Sequence, residues 1–182
     1  MSKKFTSKSG KNIILRYVEK GDAGELCRYI NELSKEDTFI RFSGETVEIK
    51  DEEEYLNKQI ELFHNNDSVS IIAVYNNQII AYSSVDRDFV NKKRSLHTAS
   101  MGLSVSKEYR EDGVGRKLMS SIISEAGKHI SGLKLIKLTV FSINTRAKSL
   151  YESLGFVECG RMPGGILFHG EYIDEISMYL NV

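Results

Sequence analysis

The chain of 182 residues carries 25 basic and 25 acidic residues, with 41% hydrophobic and 27% charged content. A formal net charge of zero excludes the basic footprint of a general nucleic-acid or acidic-membrane binder, and no apolar run approaches the ~20 residues of a membrane span. Cys27 and Cys159 give neither a disulfide framework nor metal-ligand spacing, and the polar first ten residues lack the apolar core of a secretory signal, so a single cytoplasmic domain over residues 1–182 is expected.

Residues 13–18 read as a short strand, and residues 23–33 as a helix with Leu26, Ile30 and Leu33 on one stripe. Residues 36–50 are irregular. The acids at 51–54 are best read as the start of a helix running to about residue 63, with Asp51 as N-cap, rather than as a cation-binding patch. Residues 69–75 and 78–85 are apolar and β-rich, and Asn76-Asn77 between them signals a hairpin. Residues 96–105 alternate: Ala99, Met101, Leu103 and Val105 face one way, and Thr98, Ser100, Gly102 and Ser104 the other. A helix over 114–130 carries Val114, Leu118, Met119, Ile122, Ile123, Ala126 and Ile130 on one stripe. Residues 133–141 form a compact apolar strand. A helix over 145–154 follows, stopped by Gly155. Residues 156–160 and 173–180 read as the last two strands, with Pro163-Gly164-Gly165 and His169-Gly170 as turns between them.

The most informative segment is Arg110-Glu111-Asp112-Gly113-Val114-Gly115, between a strand and a helix. Glycine lets backbone N–H groups approach a ligand, and a helix start offers unpaired N–H donors at the positive end of its dipole. Together these suit a phosphate or pyrophosphate, with Arg110, Arg116 and Lys117 adding positive charge. Taken alone, the segment reads equally well as a connection that happens to contain glycine. Two phosphate loops are excluded. A dinucleotide fingerprint needs a third glycine where Leu118 stands, and a Walker loop needs Gly-Lys-Ser/Thr where Gly115 is followed by Arg116.

A second motif, Asn144 to Phe156, reads Asn-Thr-Arg-Ala-Lys-Ser-Leu-Tyr-Glu-Ser-Leu-Gly-Phe. By itself Asn144 is most simply an N-cap and Tyr151 a core aromatic. In combination, the strand ending Gly102-Leu-Ser-Val105, the Arg-x-x-Gly-x-Gly loop, a helix, a strand and this second motif form an ordered set. It resembles the GNAT superfamily of acetyl-CoA-dependent N-acetyltransferases. The resemblance covers nearly the whole chain in element order, and its specific part, the acetyl-CoA-binding core, spans about residues 99–156.

That resemblance implies an α/β fold with a central, mixed, mostly antiparallel sheet, helices on both faces and a splayed strand pair. It implies acetyl-CoA as cosubstrate, no metal, and direct attack by an amine, consistent with the absence of cysteine from both motifs. Arg110, Glu111, Asp112, Gly113, Val114, Gly115 and Arg116 would bind the CoA pyrophosphate. Leu103, Ser104 and Val105 would offer main-chain hydrogen bonds to the pantetheine arm, and a backbone N–H near Val105 would stabilise the carbonyl oxygen. Asn144 would hydrogen-bond the pantetheine, and Tyr151 would protonate the leaving thiolate.

Many members of the family carry a glutamate that helps deprotonate the amine, and the aligned position here is Ser100. Candidate replacements are His97, Glu171 and Asp174, with Glu175 beside them; each also reads as an ordinary packing or surface residue. Acceptor pockets of the family map to residues 34–55 and 160–172. The leading expectation is a small-molecule amine acceptor, with a protein N-terminus or lysine, or an acetyl-CoA-binding module with little catalysis, as alternatives. No nucleic-acid or membrane partner is expected, and a homodimer is left open.

Overall fold

A computed structural model describes residues 1–182. In chain order the elements are β1 (Ser2–Thr6), β2 (Asn12–Tyr17), α1 (Ala23–Lys35), α2 (Ile49–His64), β3 (Ser68–Tyr75), β4 (Gln78–Arg87), β5 (Thr98–Val105), α3 (Val114–His129), β6 (Leu135–Phe141), α4 (Thr145–Ser153), β7 (Val157–Phe168) and β8 (Glu171–Asn181). The strands are ordered β1-β2-β3-β4-β5-β6-β8-β7 in an open mixed sheet. Two compact units are distinguished: Met1–Asp86 with Gly102–Ser131, and Arg87–Met101 with Gly132–Val182.

In the first unit, β1 to β4 form an antiparallel meander. The β3–β4 turn has Asn76 at φ 49° and Asn77 at φ 63°, the paired left-handed geometry that matches a two-residue loop to strand twist. Period-two alternation along β3 divides the core. Ile72 joins Leu26, Tyr29 and Leu33 of α1 and Leu56 of α2 in one buried cluster. Val69, Ile71 and Ala73 point the opposite way and are fully buried where α3 packs on β3. Helices therefore cover both faces, and burial of each large aliphatic side chain favours folding by about 1.5–3 kcal/mol. The ring of Phe63 at the end of α2 stacks on His129 at the end of α3, with centroids 4.1 Å apart.

In the second unit, β6 pairs with β8 and β8 with β7, both antiparallel. The parallel ladder of β5 with β6 covers only Thr98–Ser100 against Leu135–Lys137, although both strands continue beyond it. This early end is the splay expected of the pair. Helix α4 closes with a full Schellman arrangement. Gly155 at φ 93° donates to the Glu152 carbonyl at 3.0 Å, and Phe156 donates to that of Tyr151 at 3.1 Å.

Several expectations are corrected. The N-cap of α2 is Glu48, and Asp51 lies in the first turn. Strand β5 begins at Thr98, so Leu96 and His97 precede it, and β6 begins at Leu135 rather than 133. Pro163-Gly164-Gly165 is no turn. It is a register shift within a continuous β7, where the outermost strand has no further neighbour and tolerates proline's missing N–H. Strand β1 was not anticipated because Ser-Lys-Lys-Phe-Thr has no apolar alternation; it is an exposed edge held by backbone pairing.

Leu56 is 2% exposed and links α2 to the buried cluster. Leu56→Ala is expected to lower stability by about 2–5 kcal/mol, read as a lower urea midpoint with an unchanged slope. Ile49→Ala, at the exposed start of the same helix, is expected to stay within about 0.5 kcal/mol of the parent.

Candidate functional site

The glycine loop lies entirely in the first unit. After β5 a short turn over Lys107–Tyr109 leads to Arg110, then Glu111 at φ 64° and Gly113 at φ 86°, two left-handed residues that reverse the chain. Gly113 is the N-cap of α3, so it supplies no side-chain oxygen to the helix start. The first turn of α3 contains no acidic residue. Lys117 N–H bonds the Gly113 carbonyl at 3.1 Å, which leaves the preceding amides at the positive end of a 16-residue helix. The arrangement fits an oxyanion group, and a side chain at Gly113 would be strained in this backbone conformation.

Asp112 fixes the loop from the N-terminal hairpin. Its carboxylate accepts from the Ser9 amide and the Ser9 hydroxyl, each at 2.6 Å, and Lys11 Nζ lies 3.6 Å away. The Asp112 carbonyl accepts from Lys8 N–H at 3.1 Å. These bonds, the Ser9 hydroxyl foremost, hold the Asp112 carboxyl down at about 2. Ser9 escaped the sequence reading because it lies 103 residues from its partner in a turn without any motif.

Arg110 serves the loop differently from the expectation. Its Nε donates to the Val105 carbonyl at 2.9 Å, and its guanidinium forms a forked pair with Glu36, Nη2 to Oε2 at 2.8 Å. It joins the end of β5 to the end of α1, so its charge is already matched by a carboxylate. Arg116 is exposed and Gly115 half-buried on the first turn of α3. Leu103, Ser104 and Val105 are half-buried at the C-terminal end of β5, and the Ser104 hydroxyl accepts from Tyr29 at 2.9 Å.

The second unit carries the other candidates. Asn144 is the N-cap of α4: its Oδ1 accepts from Ala147 N–H at 3.2 Å, and its Nδ2 has no protein acceptor. Tyr151 is 8% exposed, with its ring 6.0 Å from that of Phe156. Its hydroxyl makes no hydrogen bond within the protein, and burial alone pushes its pKa up to about 12. Every side-chain oxygen or nitrogen shut off from solvent has a partner. The unpartnered Tyr151 hydroxyl therefore opens onto accessible space.

Among the candidate bases, His97 is exposed at the N-terminal end of β5, the end away from Leu103–Val105, and its carbonyl accepts from Lys134 at 2.8 Å and Leu135 at 3.1 Å. Glu171 is exposed at the start of β8, opposite Phe168. Asp174 accepts from Gly164 N–H at 3.0 Å and pairs with Arg161 at 3.1 Å; the Gly164 bond foremost lowers its pKa. Asp174 thus pins the β7 register shift, a structural task that makes it a weaker proton acceptor. Ser100 is exposed on β5, opposite Lys137.

A sequence profile described as "Acetyltransferase (GNAT) family" matches residues 28–156. The chain belongs to this family. It is 33% identical over 89 residues to an L-amino acid N-acyltransferase of Escherichia coli (strain K12), a match spanning 47% of this chain and 49% of that protein. It is 27% identical over 108 residues to an L-amino acid N-acetyltransferase of the same organism, spanning 59% of this chain and 65% of that protein. The chain thus spans about half to two-thirds of the length of these relatives. A solved GNAT-family acetyltransferase from Streptococcus pneumoniae superposes with a TM-score of 0.84 at 27% identity, covering 93% of this chain and 99% of that one.

The Asp112 clamp generates an acid signature. Its folded pKa lies below the ordinary ~3.9, so its stabilisation is fully present above that value and is lost as pH falls through about 2. Asp112→Asn is expected to melt earlier than the parent at pH 7, with the difference closing between about pH 4 and pH 2, as followed by thermal melts across that range.

Proposed function

We propose that the protein transfers the acetyl group of acetyl-CoA to a primary amine of a small molecule, as one domain spanning residues 1–182. The observation that carries this reading is the left-handed Gly113 entry into an acid-free helix start, clamped through Asp112 to Ser9. Such a cradle suits the CoA pyrophosphate, with the amides of Gly113, Val114, Gly115 and Arg116 as donors. Glu111 and Asp112 shape the cradle, and Arg110 holds its base to Glu36 rather than meeting the phosphates. The main chain of Leu103, Ser104 and Val105 serves the pantetheine arm, and the Asn144 Nδ2 is left to donate to its amides. The small-molecule acceptor is supported by the two amino-acid-modifying relatives.

Acetyl-CoA supplies the thioester; the neutral amine nitrogen bonds to its carbonyl carbon as the carbon–sulfur bond breaks, and the nitrogen then releases a proton to solvent water, giving an amide and a thiolate. An N–H at the end of β5 steadies the carbonyl oxygen as charge builds on it. Tyr151 then gives its phenolic proton to the sulfur. With a pKa of about 12 the phenol stays protonated throughout the neutral range. Transfer to a thiolate of ordinary pKa ~8.5 is uphill by several kcal/mol. The apolar surroundings that raise the phenol penalise the thiolate by the same mechanism, and this narrows the gap.

Acetyl-CoA is expected to raise the melting temperature of the protein, and Gly115→Val is expected to abolish that rise while the variant stays folded. A panel of polyamines, amino acids, aminoglycosides and peptides, followed by free-thiol release, identifies the acceptor class. Acetyl-CoA binding without thiol release above the hydrolysis background would leave a binding module in place of an enzyme. Tyr151→Phe is expected to lower kcat by ~10²–10⁴-fold with acetyl-CoA affinity unchanged. Equal turnover of the two proteins would confine Tyr151 to packing.

A further inference from the structure

Helix α2 buries an acid without a partner. Glu52 is 8% exposed, yet no hydrogen bond or ion pair engages its carboxylate, and burial alone raises its pKa. A first-turn acid ordinarily faces water, where the helix dipole favours it at no desolvation cost. Since every oxygen shut off from solvent has a partner, the Glu52 carboxylate must reach accessible space. It therefore sits at the solvent edge of the buried cluster, in a recess-like position that a ligand can reach.

The neighbours define what such a ligand is. Tyr55, one turn along α2, has its hydroxyl 2.8 Å from that of Tyr82 on β4, and the Tyr82 hydroxyl lies 3.2 Å from Ser70 Oγ. The Tyr55 ring is 40% exposed, but its hydroxyl is turned inward to this contact and is pushed up to about 12, chiefly by burial. Tyr82, Ser84 and Asp86 share one face of β4 by alternation. Asp86 accepts from Ser68 at 2.6 Å and Ser84 at 2.9 Å and has no cationic partner. Both Glu52 and Asp86 act on the Tyr55 hydroxyl, and Glu52 and Glu48 act on the Cys27 thiol of α1. The basic side chain beside this recess on α2, Lys50, pairs with Glu54 on the outer face.

An uncompensated carboxylate in a partly dry recess is expensive, and a cation is the natural complement. No group of three His, Cys, Asp or Glu side chains converges as a metal site. Two carboxylates flanking aromatic rings and hydroxyls suit an ammonium, which takes charge, hydrogen bonds and the ring faces together. The recess also lies on the face of β4 turned to α1, beside Tyr29 and the Ser104 hydroxyl it engages. That places it next to the segment of β5 assigned above to the pantetheine arm.

We propose that the recess formed by Glu52, Tyr55, Tyr82 and Asp86 binds an ammonium group of the acceptor, and that this acceptor is an aliphatic di- or polyamine. The proposal sharpens the acyl-transfer reading and rests on it for the word acceptor. It departs from the amino-acid relatives because a substrate carboxylate would meet only like charge in this recess.

The test uses the full chain without acetyl-CoA, so that it stands apart from turnover. Calorimetry compares 1,4-diaminobutane with 4-aminobutanoate, which has the same length but exchanges one ammonium for a carboxylate. The expected result is at least tenfold tighter binding of the diamine, lost by tenfold or more in Glu52→Gln and in Asp86→Asn, and retained in Glu53→Gln on the exposed side of the helix. Glu52→Gln should melt no lower than the parent, since it removes an unpartnered buried charge. Equal binding of the two ligands, no binding of either, or unchanged diamine affinity in both Glu52→Gln and Asp86→Asn overturns the proposal. If the diamine binds as expected but no amine releases thiol from acetyl-CoA, the acyl-transfer reading fails and the ammonium site stands.

Discussion

The glycine loop depends on one backbone constraint: the chain must leave a strand and enter a helix without a side-chain cap on the first helical amides. A serine or aspartate N-cap would satisfy those amides with its own side chain. Gly113 supplies none, and its φ of 86° is a conformation in which any other residue would be strained. The helix behind it is anchored by Val114, Leu118, Met119 and Ile122, all essentially inaccessible. The loop before it is anchored by the Asp112 carboxylate and by the Arg110–Glu36 fork. The backbone of the loop is therefore held in place by the protein itself, the kind of preorganisation that limits the entropy lost when a ligand is bound.

Much of the fold was readable because its signals are local. Asn76-Asn77 demands a left-handed turn, the stripe from Val114 to Ile130 has helical period, and Gly155 stops α4 where expected. What escaped was held by non-local bonds. Strand β1 has no pattern of its own and exists because β2 offers it a backbone ladder. Pro163-Gly164-Gly165 has turn chemistry, yet pairing with β8 on both sides overrides it and leaves only a register shift. The glycine loop was legible as a motif, whereas the roles of its polar residues were not. Arg110 and Asp112 look like ligand-facing charges in the sequence, and both are committed to partners within the protein.

The formal net charge of zero conceals an uneven division of labour. Around the glycine loop, acids are consumed in holding the backbone, and the helix start faces outward with no acid in its first turn. Around α2 the reverse holds: Glu52 and Asp86 have no basic partner, and the nearby lysine is engaged on the outer surface. The charges left unneutralised thus differ in sign between the α3 start and the α2 region. This difference does not appear in an overall count, because it arises from which charges the fold has already neutralised.

The bond between Ser9 and Asp112 also constrains how this sequence can change over time. Without the Ser9 hydroxyl the Asp112 carboxylate loses one of its two shortest donors and keeps the backbone amide, while Ser9 without Asp112 is an ordinary surface hydroxyl. The two positions are consequently unequal partners in drift. Loss of the aspartate first frees both Ser9 groups to turn to water but removes the clamp; loss of the serine hydroxyl first leaves the carboxylate with only the residue-9 amide and Lys11. Substitutions at these sites should accumulate in a preferred order, making the N-terminal turn historically dependent on a loop far from it in the chain.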